Sequence, residues 1–123
     1  MNNQENGFVI GRIKSLKFAV KGFWLLMTTE HSIMVQMAIG VLMSLVGWWL
    51  DISATEWILQ ILAIGLVLVA ESLNTAVEKI CDFIHPGYDD RIGFIKDISA
   101  GAVTFAAITA IIIGLIIYLP KFL

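Results

Sequence analysis

The chain has 123 residues, of which 59% are hydrophobic and 15% charged, with a formal net charge of -2. Soluble domains carry roughly 45–50% apolar and about 25% charged residues, and a chain this short buries only about two-thirds of its unfolded surface, so a water-soluble globule is excluded. Cys81 is the single cysteine, which rules out an intrachain disulfide and any multi-cysteine metal site; no basic excess points to a nucleic-acid partner.

Residues 7–29 alternate Phe8, Ile13, Leu16, Val20 and Phe23 with Arg12, Lys14, Lys17 and Lys21 at helical spacing. That pattern predicts an N-terminal amphipathic helix lying in the membrane interface. Its cations either anchor the helix to anionic headgroups, at about 1 kcal/mol each, or meet a phosphate; Arg12 and Lys21 are the candidates for the second role. The first uncharged run starts near Ile33, after a polar and basic lead-in longer than a secretory signal carries, so no such signal is expected.

Three membrane helices follow. Residues 33–50 are uncharged and about long enough to cross the hydrocarbon core, which predicts a span over 31–50. Residues 57–70 are apolar but short, and the helical pattern continues through ESLNTAVEKICDFI to the stop signal His85-Pro86-Gly87, so one helix is expected over 55–84. Residues 98–119 are again uncharged, predicting a span over 96–119 with small residues Ala102, Ala106, Ala110 and Gly114 spaced by four. The expected fold is therefore an all-α integral membrane protein, one domain over 1–123, with three transmembrane helices and a surface helix.

Charge placement gives the orientation. Arg12, Lys14, Lys17 and Lys21 precede the first span, and Lys79, Arg91 and Lys96 surround the second connection, whereas the first connection has no Lys or Arg. The positive-inside rule then puts the N-terminus and the second connection in the cytoplasm, with Trp48, Trp49 and Trp57 at the opposite interface.

Ionisable groups at membrane depth cost roughly 2.5–3.5 kcal/mol on insertion scales and read as functional by default. On the middle helix Glu71, Asn74, Glu78 and Asp82 are spaced by three, four and four, which brings them onto one narrow face. Stacked like charges destabilise an isolated helix, so a divalent cation, basic partners or protonation must offset them. Carboxylate oxygens suit Mg²⁺, which is commonly held by one or two carboxylates together with substrate phosphates. Taken alone, Asp82 also fits a solvated polar face. Glu30 stands before the first span, and Lys96 and Asp97 before the last; each has a bland reading as an anchor or a helix-dipole charge. Their convergence on one membrane surface is what phosphoryl transfer needs, since such catalysis is mostly positioning and electrostatics. The chain carries neither the GxxxxGK[ST] motif nor the protein-kinase signatures.

Residues 71–82 (ESLNTAVEKICD), followed by Lys96-Asp97 (KDISAGAV), resemble the signature of the prokaryotic diacylglycerol kinase family, which includes undecaprenol kinases. The likeness extends to LKFAVKG at residues 16–22, to Glu30 and to the three-span layout. It implies a homotrimeric kinase of the bacterial inner membrane whose active sites are shared between protomers at the cytoplasmic surface. The reaction would move the γ-phosphate directly from MgATP to the hydroxyl of a lipid alcohol, diacylglycerol or undecaprenol. On that pattern Glu71 is the general base, Glu30 and Glu78 hold the Mg²⁺, and Asn74, Lys96 and Asp97 assist nucleotide or phosphate binding. Asp82 would sit at the nucleotide end. Phe18 stands where members often have tyrosine, Arg12 is one residue from an expected arginine, and Asp89 replaces the histidine of some diacylglycerol kinases. AGAV at residues 100–103 is similar to the undecaprenol-kinase branch.

The residues themselves leave two further readings open: an oligomer using Glu71 and Glu78 as a proton or ion relay in transport, and an assembly factor whose polar face binds partners.

Overall fold

The structure is a computed structural model that describes the backbone of residues 3–123 and the side chains of residues 7–123; residues 1 and 2 of the expected 1–123 domain lie outside the described residues. Four helices make up the described residues, without a strand: α1 (Asn3–Thr29), α2 (His31–Trp49), α3 (Ala54–Ile84) and α4 (Asp90–Phe122). The last three are each long and apolar enough to cross a membrane. At 1.5 Å per residue α3 is ~46 Å long, about 16 Å more than a hydrocarbon core, so a stretch of it must reach beyond the lipid tails.

The chain divides into two compact units, the first ending at Met34 and the second comprising Val35–Leu123. In the first, Glu30 is the single residue between α1 and α2; its N–H donates to the Leu26 carbonyl and its own carbonyl accepts from Met34.

The second unit is organised by its caps. At the end of α2, Asp51 takes the left-handed conformation (φ 52°), Ile52 N–H donates to the Gly47 carbonyl and Asp51 N–H to that of Trp48. This is a Schellman closure, with an aspartate where glycine is usual. It delivers Ile52 into a cluster with Ile117 and Tyr118, flanked by Met43, Val46 and Trp57. Ser53 then caps α3 in a reciprocal box: its Oγ accepts from Glu56 N–H at 3.2 Å while Glu56 Oε1 accepts from Ser53 N–H at 2.9 Å. The same Glu56 oxygen receives Lys121 Nζ at 3.2 Å, tying the end of α4 to the start of α3. With a five-residue connection at the other end, α3 and α4 form an antiparallel hairpin, and they pack along each other.

The polar clip inside this hairpin was not anticipated. Gln60 donates through Nε2 to the Met43 carbonyl at 3.2 Å, and the Tyr118 hydroxyl lies against both Gln60 Oε1 and the Met43 carbonyl. Three helices are thereby joined in a region otherwise made of apolar side chains. An apolar cavity of about 370 Å³ opens beside the clip, lined by Gly40, Ala63, Val67, Ala110 and Gly114 among others.

One boundary corrects the sequence reading. The last helix starts at Asp90 and ends at Phe122, not 96–119. Asp89 explains the early start: its Oδ1 accepts from the Arg91 and Ile92 N–H groups at 2.8 and 3.4 Å, so residues 90–95, expected to precede the helix, belong to it. The Arg91 backbone N–H holds the Asp89 carboxyl below the ordinary aspartate range. Pro120 falls in the last turn, where little helix remains to be broken.

Candidate active site

The functional face of α3 follows from its periodicity. At about 100° per residue, the buried Gln60, Ala63, Val67, Thr75 and Cys81 fall within one arc of roughly 120°. Glu71, Asn74, Glu78 and Asp82 occupy about 80° of that same arc. The acidic row thus continues the seam that α3 packs inward lower down, instead of lying on the open side of the helix. Opposite it, Leu62, Leu66, Val69 and Leu73 are exposed and apolar, a face suited to lipid or to another copy of the chain.

Within the row, environments differ. Glu71 is half-buried one turn above Val67, where the apolar seam ends. Asn74 is also half-buried; its Nδ2 donates to Glu78 Oε1 at 3.3 Å, a contact that tempers the run of like charges. Its Oδ1 is buried with no hydrogen-bond partner. Such orphaned acceptors are costly, by about 1–3 kcal/mol each, and are found where a ligand or ion completes them. Glu78 and Asp82 are exposed, one turn apart. From α4, Lys96 Nζ reaches Asp82 Oδ1 at 2.6 Å.

The second unit therefore sets Glu71, Asn74, Glu78 and Asp82 in one row ~16 Å long, with Lys96 of α4 at its Asp82 end. Asp97, next along α4, is exposed and turned by about 100° from Lys96. Arg12, Lys21 and Glu30 belong to the first unit. The Arg12 guanidinium sits 5.3 Å from the centre of the Phe8 ring, Lys21 is exposed, and Glu30 is half-buried at the α1–α2 junction.

Among the described residues no three His, Cys, Asp or Glu side chains form a ready-made metal cage. A cation held by one or two carboxylates and completed by phosphates needs no such cage. The Glu78 carboxylate beside the unpartnered Asn74 Oδ1 is a pair of hard oxygen donors, which fits Mg²⁺ in chemistry.

The Asp82–Lys96 contact and the Gln60–Tyr118 clip were both missed in reading the sequence. For Gln60 a signal existed: it is a polar side chain within the apolar run of residues 57–70.

Comparison with known proteins bears on the whole chain. Residues 17–118 match the profile of the family described as prokaryotic diacylglycerol kinase. Over 108 residues the chain is 35% identical to the undecaprenol kinase of Bacillus subtilis, covering 88% of each protein. Over 112 residues it is 31% identical to the diacylglycerol kinase of Escherichia coli K12, covering 91% of each. With three apolar helices, an acidic row on α3 and a lysine delivered to it from α4, the chain belongs to the prokaryotic diacylglycerol kinase family and is a membrane-integral lipid kinase.

Proposed function

We propose that residues 1–123 work as one lipid-kinase domain that transfers the γ-phosphate of ATP to the hydroxyl of undecaprenol or diacylglycerol at the cytoplasmic membrane surface. The observation that carries this reading is the half-buried Glu71 and the orphaned Asn74 Oδ1 on one face of α3, with Glu78 bonded to Asn74 and Lys96 held on Asp82 at the far end of the same row. Undecaprenol is favoured over diacylglycerol by AGAV at residues 100–103 and by the greater identity to an undecaprenol kinase.

The roles follow from position and chemistry. Glu71, at the boundary of the apolar seam, accepts the proton of the lipid hydroxyl as its oxygen bonds to the γ-phosphorus and the bond to the ADP oxygen breaks. Glu78, with Glu30, is assigned to Mg²⁺, which when bound neutralises phosphate charge. Asn74 offers its free carbonyl oxygen to the same region. Lys96 supplies N–H donors to phosphate oxygens, and Asp97, Arg12 and Lys21 are assigned to the nucleotide with less support from local geometry. Asp82 lies at the nucleotide end of the row. The basic residues around the N-terminus and second connection support a cytoplasmic placement in the bacterial inner membrane. The homotrimer with sites shared between protomers is proposed from the family resemblance, and the exposed apolar face of α3 leaves room for a second copy as well as for lipid.

The test is transfer of radiolabelled phosphate from ATP to undecaprenol and diacylglycerol presented in competition in mixed micelles, with and without Mg²⁺. Transfer that needs Mg²⁺, favours undecaprenol and falls by at least about a hundred-fold in Glu71→Gln is expected. Near-normal transfer by a folded Glu71→Gln protein would remove the base assignment, and proton flux without ATP use would replace the kinase reading by the relay.

A further inference from the structure

The Lys96–Asp82 contact is short, at 2.6 Å, yet both side chains are open to solvent, at 36% and 62% exposure. Exposed ion pairs add little to folding, so stability does not account for it. What the contact does fix is direction. A lysine carries its charge on a flexible four-carbon stem with three donors. One N–H engaged on Asp82 holds the ammonium about one helical turn from Glu78, on the acidic face, and leaves two N–H groups free. Asp82 itself is poorly suited to meet a nucleotide directly, because a bare carboxylate repels phosphate. The Lys96 ammonium opposes its charge.

We propose that Asp82 acts on the reaction through Lys96, as a positioning residue that holds the ammonium toward the nucleotide phosphates, and does not itself contact the nucleotide or the metal. This rests on the lipid-kinase reading. It changes the part given to Asp82 from a binding group to the support of one, and it makes the α3–α4 packing register a determinant of nucleotide affinity.

The experiment is a double-mutant cycle on the full-length protein in micelles, with Asp82→Ala, Lys96→Ala and the pair. The readouts are kcat and KM for MgATP, and nucleotide Kd by equilibrium dialysis, which stays readable when turnover is lost. Asp82→Ala is expected to weaken nucleotide binding about ten-fold, the scale of one hydrogen bond to a charged group. In the Lys96→Ala background the same substitution is expected to change it less than two-fold, because the group it acts through is gone. The Mg²⁺ concentration giving half-maximal rate is expected to be unchanged in Asp82→Ala, and Asp82→Glu to restore part of the affinity. Equal losses in both backgrounds, a shifted Mg²⁺ dependence, or no loss in Asp82→Ala would overturn the inference while leaving the kinase reading intact. Absence of any phosphate transfer by the unaltered protein would overturn the kinase reading and the inference with it.

Discussion

Replacing Tyr118 with phenylalanine deletes one hydroxyl and keeps the ring in its cluster with Ile52 and Ile117. The hydroxyl can donate only one proton, shared between Gln60 Oε1 and the Met43 carbonyl. Met43 keeps a donor in the variant, since Gln60 Nε2 still reaches it at 3.2 Å. Gln60 Oε1 loses its donor, and Gln60 is only 5% exposed. An unsatisfied buried acceptor costs about 1–3 kcal/mol in soluble proteins, whereas membrane double-mutant cycles average about 0.6 and reach about 1.7 kcal/mol. We therefore expect a loss of about 1 kcal/mol for Tyr118→Phe. Gln60→Leu should cost less, because it removes donor and acceptor together and leaves the tyrosine hydroxyl its Met43 partner. Adding Tyr118→Phe to Gln60→Leu should then cost less than Tyr118→Phe alone. Unfolding by SDS in mixed micelles measures all three, and phosphate transfer by the folded fraction should be unchanged, since Gln60 is ~16 Å along α3 from Glu71. A neutral Tyr118→Phe, or a Gln60→Leu more damaging than it, would refute this account of the clip.

Further expectations concern packing, capping and the acidic row. A Cβ built on Gly47 would lie 2.9 Å from Ile52 Cδ1 and 3.0 Å from the Tyr118 hydroxyl, so Gly47→Ala should destabilise by about 1–3 kcal/mol in the same unfolding assay, against the usual helix preference for alanine. Asp51→Gly should raise stability slightly, by up to about 1 kcal/mol, because the left-handed residue closing α2 is strained in any side-chain-bearing form. The Asp89 cap stabilises the native α4 start while its carboxyl is ionised. That contribution is fully present above the unfolded aspartate value of about 3.9 and is lost as pH falls through the lower folded value. The Arg91 amide resonance, followed by NMR on acidification, should report a midpoint below the ordinary aspartate range. Asn74→Ala should cut phosphate transfer by about a hundred-fold or more while unfolding is little changed, because no protein donor pairs with Oδ1 and the Glu78 oxygen that loses Nδ2 is open to water.

The spans and the acidic row were legible because each is encoded within one helix. Uncharged runs mark residues 33–50 and 98–119 directly, and the offsets from Glu71 to Asn74, Glu78 and Asp82 convert to a common face by arithmetic that needs no tertiary information. The start of α4 was less visible, since Tyr88-Asp89-Asp90-Arg91 reads as a polar loop until the Asp89 side chain is placed on the Arg91 and Ile92 amides. Contacts between helices were not legible at all. Asp82 meets Lys96 and Gln60 meets Tyr118 only because α3 and α4 pack in one register out of several that the same apolar faces allow. That register is held at one end by Glu56 with Lys121 and in the membrane by the Gln60–Tyr118 clip, while the Asp82–Lys96 pair reads it out at the other end. A slip of α4 by one helical turn would move Lys96 ~5.4 Å along the row, from one acidic residue to the next. The clip and the lysine therefore depend on one α3–α4 register, which the Glu56–Lys121 pair and the apolar packing still hold when a single clip hydroxyl is removed.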